Sequence, residues 1–359
     1  MTGGAVAATA GWEAARLLRA DLDDNAWLEL VAGDPDAQPF HHPAWARVLA
    51  ECYRFRAFGL ALADANGRLI AGVPVVERPG LLGGRRWISL PFTDSCPPLV
   101  GGNRLLQARL EAEIDAARQR AGVGVVELRT TPASDYAFAF DVGLRHTLEL
   151  NRDPETVYSR FKPKQVRHAI RYAERSGVIV AEAEREEELS GTFYALQTAT
   201  RRRLGVPVQP RRYFSLLWRR IVEPGLGFVL VARIGDRPVA AAVFLAWKGT
   251  VVYKYSASDA TAWSLRPNNA VLWHAIRWAC ENGYSTFDLG RTDRANEGLS
   301  AFKRGWGAEE VSLTYAAIGK AAAGRPGVGR VAGLARAVIR HSPPFVCRAL
   351  GTMLYRYAA

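Results

Sequence analysis

Runs of alternating or helically spaced apolar residues, separated by turn residues, divide the chain into two series of strands and helices. In the first series, residues 57–63 and 69–76 read as strands joined through Ala65-Asn66-Gly67. The Asn-Gly pair favours a hairpin because both residues accept positive φ. A Pro- and Gly-rich break over 79–84 precedes a strand at 87–90, which Pro91 closes. Leu105, Leu106, Ala108, Leu110, Ile114 and Ala117 recur at helical spacing and predict a helix over 103–121, followed by a strand at 123–129.

The second series begins near Thr147. Asp153-Pro154 joins a capping residue to a proline at the first helical position, where the missing N–H costs nothing. Helices are expected over 165–176, 187–203, 211–222, 268–281 and 296–306. Strands are expected at 178–183, 228–234, 239–247, 250–256, 286–289 and 311–318. One segment recurs: the hairpin from Leu62 to Val73 parallels that from Val231 to Ala242, about half the chain away. Each is an apolar strand, a polar turn carrying Arg68 or Arg237, and a strand rich in small residues. This repeat predicts an α+β protein of two related domains, 1–145 and 146–318, with 319–359 as a separate tail.

Composition narrows the class. With 359 residues, 49% apolar and 23% charged, the chain has the material for two packed domains. No stretch reaches the ~18–20 apolar residues that span a bilayer. The N-terminus has no basic segment before an apolar core, so a signal peptide is not expected and the reading is cytoplasmic. Cys52, Cys96, Cys280 and Cys347 stand far apart, and no His lies at zinc-ligand spacing, so no bound metal is expected.

The net charge of +12 points to an anionic partner. Seven of those charges lie in the tail: Lys320, Arg325, Arg330, Arg336, Arg340, Arg348 and Arg356, with no acidic residue from 319 onward. The tail reads as helical, with Val331, Leu334 and Val338 on one face and Phe345, Leu350 and Leu354 on the next. It is expected either to pack on the first domain or to touch an anionic membrane. The rest of the chain is only mildly basic, which argues against a protein that coats nucleic acid. Arg201-Arg202-Arg203 with Arg211, Arg212 and Tyr213 is the nearest candidate for such a surface, and it reads as a solvated face.

Candidate chemistry concentrates between Tyr253 and Gly307. The helix over 268–281 is apolar almost all round, which predicts a central, buried element. Asn268 and Asn269 stand at its start as candidate caps, and its free N–H groups suit an anionic ligand such as a pyrophosphate. The strand ending Asp288-Leu289-Gly290-Arg291 delivers Arg291 at its C-terminal end, where α/β sites usually form. On the next helix Leu299, Phe302 and Trp306 form an apolar stripe, with Lys303 beside it and Ser300 and Arg304 toward solvent. Lys303 can either snorkel into water or turn its ammonium into a cleft, toward a phosphate or a developing oxyanion. Asp288, Asp293 and Glu297 are the candidate bases. Tyr255 and Ser258 complete the polar set expected to face a pocket.

The order of residues from Ser258-Asp259 through Arg266-Pro267-Asn268-Asn269, Trp273, Ile276, Gly283-Tyr284, Phe287-Asp288, Gly290-Arg291-Thr292-Asp293 and Phe302-Lys303 to Gly305-Trp306-Gly307 resembles the FemAB-type, or BioF2-like, acyltransferases of the GNAT superfamily. His42-Pro43 with Trp45, Ser89-Leu90-Pro91-Phe92 with Asp94, and the segment Phe161 to Gly177 extend the resemblance more loosely. It implies two tandem GNAT-like domains, each a mixed twisted sheet flanked by helices, and transfer of an acyl group to an amine. The family's Phe-Lys pair maps onto Phe302-Lys303, the lysine lying near the donor's reactive ester. With the readings above, the expected catalytic residues are Lys303 and Asp293, and the expected binding residues are Tyr255, Ser258, Asn268, Asn269, Arg291 and Phe302.

The resemblance also implies acyl-CoA or aminoacyl-tRNA as co-substrate, no permanently bound cofactor, and an amine acceptor on a cell-wall or exopolysaccharide precursor that can be lipid-linked. The alternative is a non-catalytic scaffold that keeps only the fold and binds an anionic lipid-linked or polysaccharide intermediate. The sequence departs from the wider GNAT pattern before the central helix, where Leu265-Arg266-Pro267 replaces a Gly-rich pyrophosphate loop. No heptad arm is present either.

Overall fold

The structure, a computed structural model, describes Trp12 and residues 14–79, 84–319 and 336–355. Among them the strands in chain order are β1 (Arg16–Ala20), β2 (Arg56–Ala63), β3 (Leu69–Pro79), β4 (Arg85–Ile88), β5 (Val125–Leu128) and β6 (Ala137–Glu149). These are followed by β7 (Ile179–Glu182), β8 (Gly227–Ile234), β9 (Arg237–Trp247), β10 (Thr250–Ser258), β11 (Thr286–Thr292) and β12 (Glu309–Gly319). The chain divides into two compact units, Met1–Val142 with Leu313–Ala323, and Gly143–Ser312 with Gly324–Ala358.

In the first unit the strand order is β1-β2-β3-β4-β5-β12. Every neighbouring pair is antiparallel except β4 and β5. The β2–β3 turn follows its sequence: Asp64 Oδ1 accepts from the N–H of Asn66 and of Arg68, each at 2.9 Å, and Gly67 takes φ +83°. A parallel pair needs a crossover, and α3 (Arg104–Arg120), capped by the Asn103 side chain, supplies it. Its Leu106, Leu110 and Ile114 pack on Val73, Val75, Trp87 and Val126.

Two further helices of this unit, α1 (Asn25–Gly33) and α2 (Pro43–Tyr53), were not evident from hydrophobic spacing. The anchor of α1 is Trp27, which is fully buried against glycines. A Cβ at Gly59 or Gly72 would come within 2.7 or 2.9 Å of its ring, so the indole fills a notch that only Gly leaves open.

The second unit repeats the plan. Its order is β7-β8-β9-β10-β11-β6, again antiparallel throughout except for β10 and β11. The repeated hairpins of the sequence are β2–β3 and β8–β9, and they hold equivalent places. Strand 311–318, expected to end the second domain, forms β12, and its Ala316 and Ile318 pair with Leu128 and Val126 of the first unit's β5. The helices of the second unit are α4 (Pro154–Ser159), α5 (His168–Arg175), α6 (Tyr194–Leu204), α7 (Arg211–Leu217), α8 (Pro267–Glu281), α9 (Glu297–Gly305) and α10 (Pro344–Leu354). Turns of π-helix precede α5 and α6 and follow α7, which is why the helices expected over 165–176, 187–203 and 211–222 are each interrupted. As the all-round apolar pattern predicts, α8 is the centre of the core, with Ala270, Val271, Leu272, Ala275, Ile276, Ala279 and Cys280 buried.

The tail corrects an expectation. Its described helix α10 packs on the second unit rather than the first. Cys347 Sγ lies 3.5 Å from Val206 O, Tyr355 Oη donates to Pro207 O at 3.2 Å, and Arg201 donates to Tyr355 Oη at 2.6 Å. The reason lies in the helix surface: Gly351 leaves room for the Val208 carbonyl, which any side chain at 351 would overlap. The arginine run expected in solvent is partly consumed here, since Arg201 also donates to Pro207 O at 3.1 Å and Arg203 lies 4.5 Å over the Trp263 ring. Lys320, Arg325, Arg330, Val331, Leu334 and Arg356 lie outside the described residues. Among the described residues no helix is long and apolar enough to cross a membrane.

Candidate functional site

The two parallel pairs are the place where the units differ. In each, only three residue pairs are in register: Arg86–Ile88 with Val125–Glu127, and Thr250–Val252 with Thr286–Asp288. Beyond that point the strands part. In the first unit the gap is occupied by the chain itself. Residues 89–96 turn back with Leu90 at φ 49° and Phe92 at φ 63°, and Cys96 pairs with Arg129. Ser89 Oγ, which accepts from the Arg129 N–H at 2.8 Å, closes this end. In the second unit β10 instead runs on through a bulge between Tyr253 and Tyr255 to Ser258, while β11 runs on to Thr292. The outcome is a wedge between two strand ends, with the first turn of α8 beside it.

Two of the expected binding residues, Ser258 and Asn268, meet beside this region, whereas Tyr255 faces the other side of the sheet. Ser258 is buried, and its Oγ accepts from Asn268 Nδ2 at 3.1 Å and from Trp263 Nε1 at 3.0 Å. Tyr255 Oη pairs with Tyr213 Oη at 2.9 Å. Burial pushes the Tyr253 phenol above its usual value, against a smaller opposing hydrogen bond with Ser256, so it stays protonated.

The helix start differs from expectation. Pro267 opens α8, Arg266 precedes it in the left-handed region at φ 58°, and no side chain caps the end. Asn268 and Asn269 are therefore inside the first turn, and the Asn268 amide is spent on Ser258. A proline at the first position fixes φ and needs no cap partner, which makes the asparagine caps unnecessary. An uncapped N-terminus keeps its partial positive charge available to an anion.

At the end of β11, Asp288 is buried and organises the bend. Its Oδ1 accepts from the Gly290 N–H at 2.7 Å, and its Oδ2 accepts from Arg145 Nε at 2.9 Å and Nη2 at 2.7 Å. The register with β6 shifts between Asp288 and Gly290, so this carboxylate is an anchor rather than a base. Lys303 Nζ completes the bend by donating to Gly290 O at 2.7 Å and Arg291 O at 3.0 Å, with Lys303 only 5% exposed. The snorkelling alternative is thereby excluded.

The expected stripe holds at Trp306, which is fully buried, and at Phe302, which packs against the same core, but not at Leu299. Leu299 is 37% exposed, whereas Ser300 is 2% exposed. Polar partners pull that face inward: Ser300 Oγ donates to Glu310 Oε2 at 2.9 Å, and His146 Nε2 meets the same oxygen at 2.9 Å. Arg304 joins them at 2.9 Å. His146 is fully buried, and burial above all lowers its pKa, with Lys303 and Arg304 acting the same way against Glu310. His146 and Glu310 were missed from the sequence. The signal was present, because His146 alternates with Leu148 and Leu150 on the inward face of its strand.

The remaining candidates are less enclosed. Phe302 is half-buried, 6.1 Å from the Trp306 ring. Arg291 Nη2 lies 3.3 Å from Asp293 Oδ1, and the Asp293 side chain is 74% exposed, so nothing around it marks it as a base. A hollow of about 630 Å³ lies in the first unit between α1 and the β2–β3 turn, and none of these groups lines it.

Comparison with known proteins agrees with this topology. Residues 160–304 match the family model described as "Acetyltransferase (GNAT) domain". A search of curated proteins finds no match. FemX has a similar fold at 14% identity and a TM-score of 0.65, covering 84% of this chain and 96% of its own. L-PGS from Bacillus licheniformis aligns at 14% identity and a TM-score of 0.53, covering 93% and 98%. The C-terminal domain of a protein named as a lysylphosphatidylglycerol synthetase from Agrobacterium fabrum does so at 14% and 0.53, covering 81% and 90%. Residues 160–304 thus match an acetyltransferase (GNAT) domain, and the fold of the chain is similar to that of FemX.

Proposed function

We propose that the protein transfers an acyl or aminoacyl group from acyl-CoA or aminoacyl-tRNA to an amine of a cell-wall or exopolysaccharide precursor, at the wedge between β10 and β11. The observation that carries this reading is the parting of those strands beside an uncapped helix N-terminus, where the first unit fills the equivalent gap with its own backbone. A donor phosphate would sit at the start of α8, near Asn268 and Asn269, and the activated carbonyl would lie between the strand ends, past Tyr255 and Ser258.

The reaction then needs little from side chains. The neutral amine attacks the carbonyl carbon, the C–S or C–O bond breaks, and the departing sulfur or ribose oxygen takes the amine's proton. Positioning supplies much of the rate. Lys303 holds the β11 end in place, and its buried charge favours the oxyanion. Arg291 and Phe302 border the acceptor side, and Asp293 orients Arg291.

The neighbours named for lysylphosphatidylglycerol synthesis favour a lipid-linked acceptor, and the tail suits a cytoplasmic protein working at the inner membrane face. On α10, Phe345 and Met353 are exposed, with Arg348 nearby and no acid in the tail. Mass spectrometry of amine acceptors incubated with acyl-CoAs or charged tRNAs tests the activity: an added acyl mass supports it, and turnover unchanged in Asn268→Ala and Lys303→Met would move the site elsewhere. Co-sedimentation with anionic vesicles, lost in Phe345→Glu/Met353→Glu, tests the membrane part.

A further inference from the structure

Beside the wedge stands an aromatic side chain that the core does not use. Of the ten tryptophans, the others are buried or half-buried, whereas Trp263 is 46% exposed. It sits in a short 3-10 helix, Ala260–Leu265, that joins the end of β10 to the start of α8. The indole is fixed at several points. Its Nε1 donates to Ser258 Oγ at 3.0 Å, the oxygen that also accepts from Asn268 Nδ2 in the first turn of α8. Asp259 holds the turn, its Oδ1 accepting from the Thr261 N–H at 2.9 Å and from the Thr261 hydroxyl at 2.8 Å. Arg237 donates to both Asp259 and Thr261.

From the last turn of α6, the Arg203 guanidinium lies 4.5 Å over one face of the Trp263 ring. With that face and the Nε1 edge occupied, the exposure belongs to the opposite face and the outer edge. The ring is thus a preorganised plane with a cation behind it. Its setting is one-sided in charge. Residues 194–212 and 260–280, which hold α6 and most of α8, carry seven arginines and no acidic residue. Asp259, just before the second stretch, is paired with Arg237. Such a plane fits a nucleobase, which stacks on the indole while its phosphates meet guanidinium groups. A lipid or a plain sugar has no aromatic plane to offer.

We propose that Trp263, backed by Arg203, is the stacking platform for the donor's adenine, the base that acyl-CoA and the 3′ end of aminoacyl-tRNA have in common. The inference rests on reading the wedge as the donor site. Trp263 O accepts from the Arg266 N–H at 3.0 Å, so the ring stands one turn ahead of the uncapped start of α8. A single nucleotide spans that step, with its base on the ring and its 5′-phosphate at the helix. The platform also accounts for the missing Gly-rich loop: the base is gripped by a side chain, where such a loop wraps the pyrophosphate in backbone.

Titration calorimetry on the full chain tests the assignment with CoA, 4′-phosphopantetheine, the ribotrinucleotide CCA that ends tRNA, and uridine 5′-diphosphate. Each is titrated into wild type, Trp263→Phe and Trp263→Leu. At least one of CoA and CCA binds wild type, and its Kd weakens about fivefold or more in Trp263→Leu. Trp263→Phe, which keeps an aromatic face and loses the Nε1 bond, stays within about threefold of wild type. Phosphopantetheine, which has no base, shows no difference among the three proteins. The adenosine ligand that loses affinity identifies the donor class. An equal loss in Trp263→Phe, the same loss with phosphopantetheine, or unchanged binding in Trp263→Leu would overturn the platform. So would Trp263-dependent binding of uridine 5′-diphosphate tighter than that of either adenosine ligand, or no binding of CoA and CCA to wild type. Acyl transfer to an amine, read by mass in Trp263→Leu and wild type, decides separately whether the wedge reading stands.

Discussion

Replacing Lys303 with Met removes one ammonium and keeps most of the aliphatic stem. The structure sets the size of the effect. Two backbone carbonyls, those of Gly290 and Arg291, lose a charged donor at 2.7 and 3.0 Å in a site closed to water. Hydrogen bonds to a charged group contribute ~1.5–3 kcal/mol each. Part of that gain is offset because the variant no longer buries a charge, a cost of several kcal/mol. A net loss of about 2–3 kcal/mol follows, and at ~2–4 °C per kcal/mol for a unit of this size the melting temperature falls by between about 4 and 12 °C. Lys303→Arg recovers only part, because a planar fork is wider than the ammonium it replaces. A second readout is independent of substrate. Lys303 lowers the His146 pKa, so the imidazole titration midpoint, followed by NMR, moves upward in Lys303→Met. Where turnover is measured, loss of the buried cation costs on the order of a hundredfold in kcat. A Met variant melting within ~1 °C of wild type with an unmoved His146 midpoint would refute the clamp.

The remaining expectations concern other supports of the same unit. Asp288→Asn strands the Arg145 guanidinium and frees the bend at Gly290, and chemical denaturation should show a loss of about 3 kcal/mol or more. His146 has a folded pKa below its ordinary 6.5, so the folded state binds fewer protons and stability falls as pH drops below that value. The wild-type advantage over His146→Gln in melting temperature should therefore shrink between pH 7 and 5, and a constant difference would contradict this. Gly351→Ala overlaps the Val208 carbonyl and should undock α10, read as faster proteolysis of the tail with the preceding strands still protected.

The sheet strands were legible wherever a strand sits in a two-faced core. The strands within 57–76 and 228–256, like the helix over 268–281, have largely apolar patterns because most of their sides are covered. The elements around Trp27 were not legible, because that contact depends on glycines at 59 and 72, far off in sequence, whose spacing carries no periodic signal. Lys303 was found as a candidate but its geometry was not, since burial of a lysine depends on carbonyls brought by another strand. The same cause hid Ser300: its inward turn is dictated by Glu310 and His146, one on each of two other strands. A pattern of apolar residues alone assigns such a serine to solvent.

Hydrogen–deuterium exchange with and without donor tests the central claim most directly, because it locates the site without knowing the acceptor. Acyl-CoAs and charged tRNAs would be presented in turn to the full chain. The account predicts that at least one donor class slows exchange in Tyr253–Ser258, the first turn of α8 and Leu289–Thr292, with residues 89–96 of the first unit unchanged. Protection confined to the first unit, or none at the β10–β11 wedge with any donor that is turned over, would contradict it.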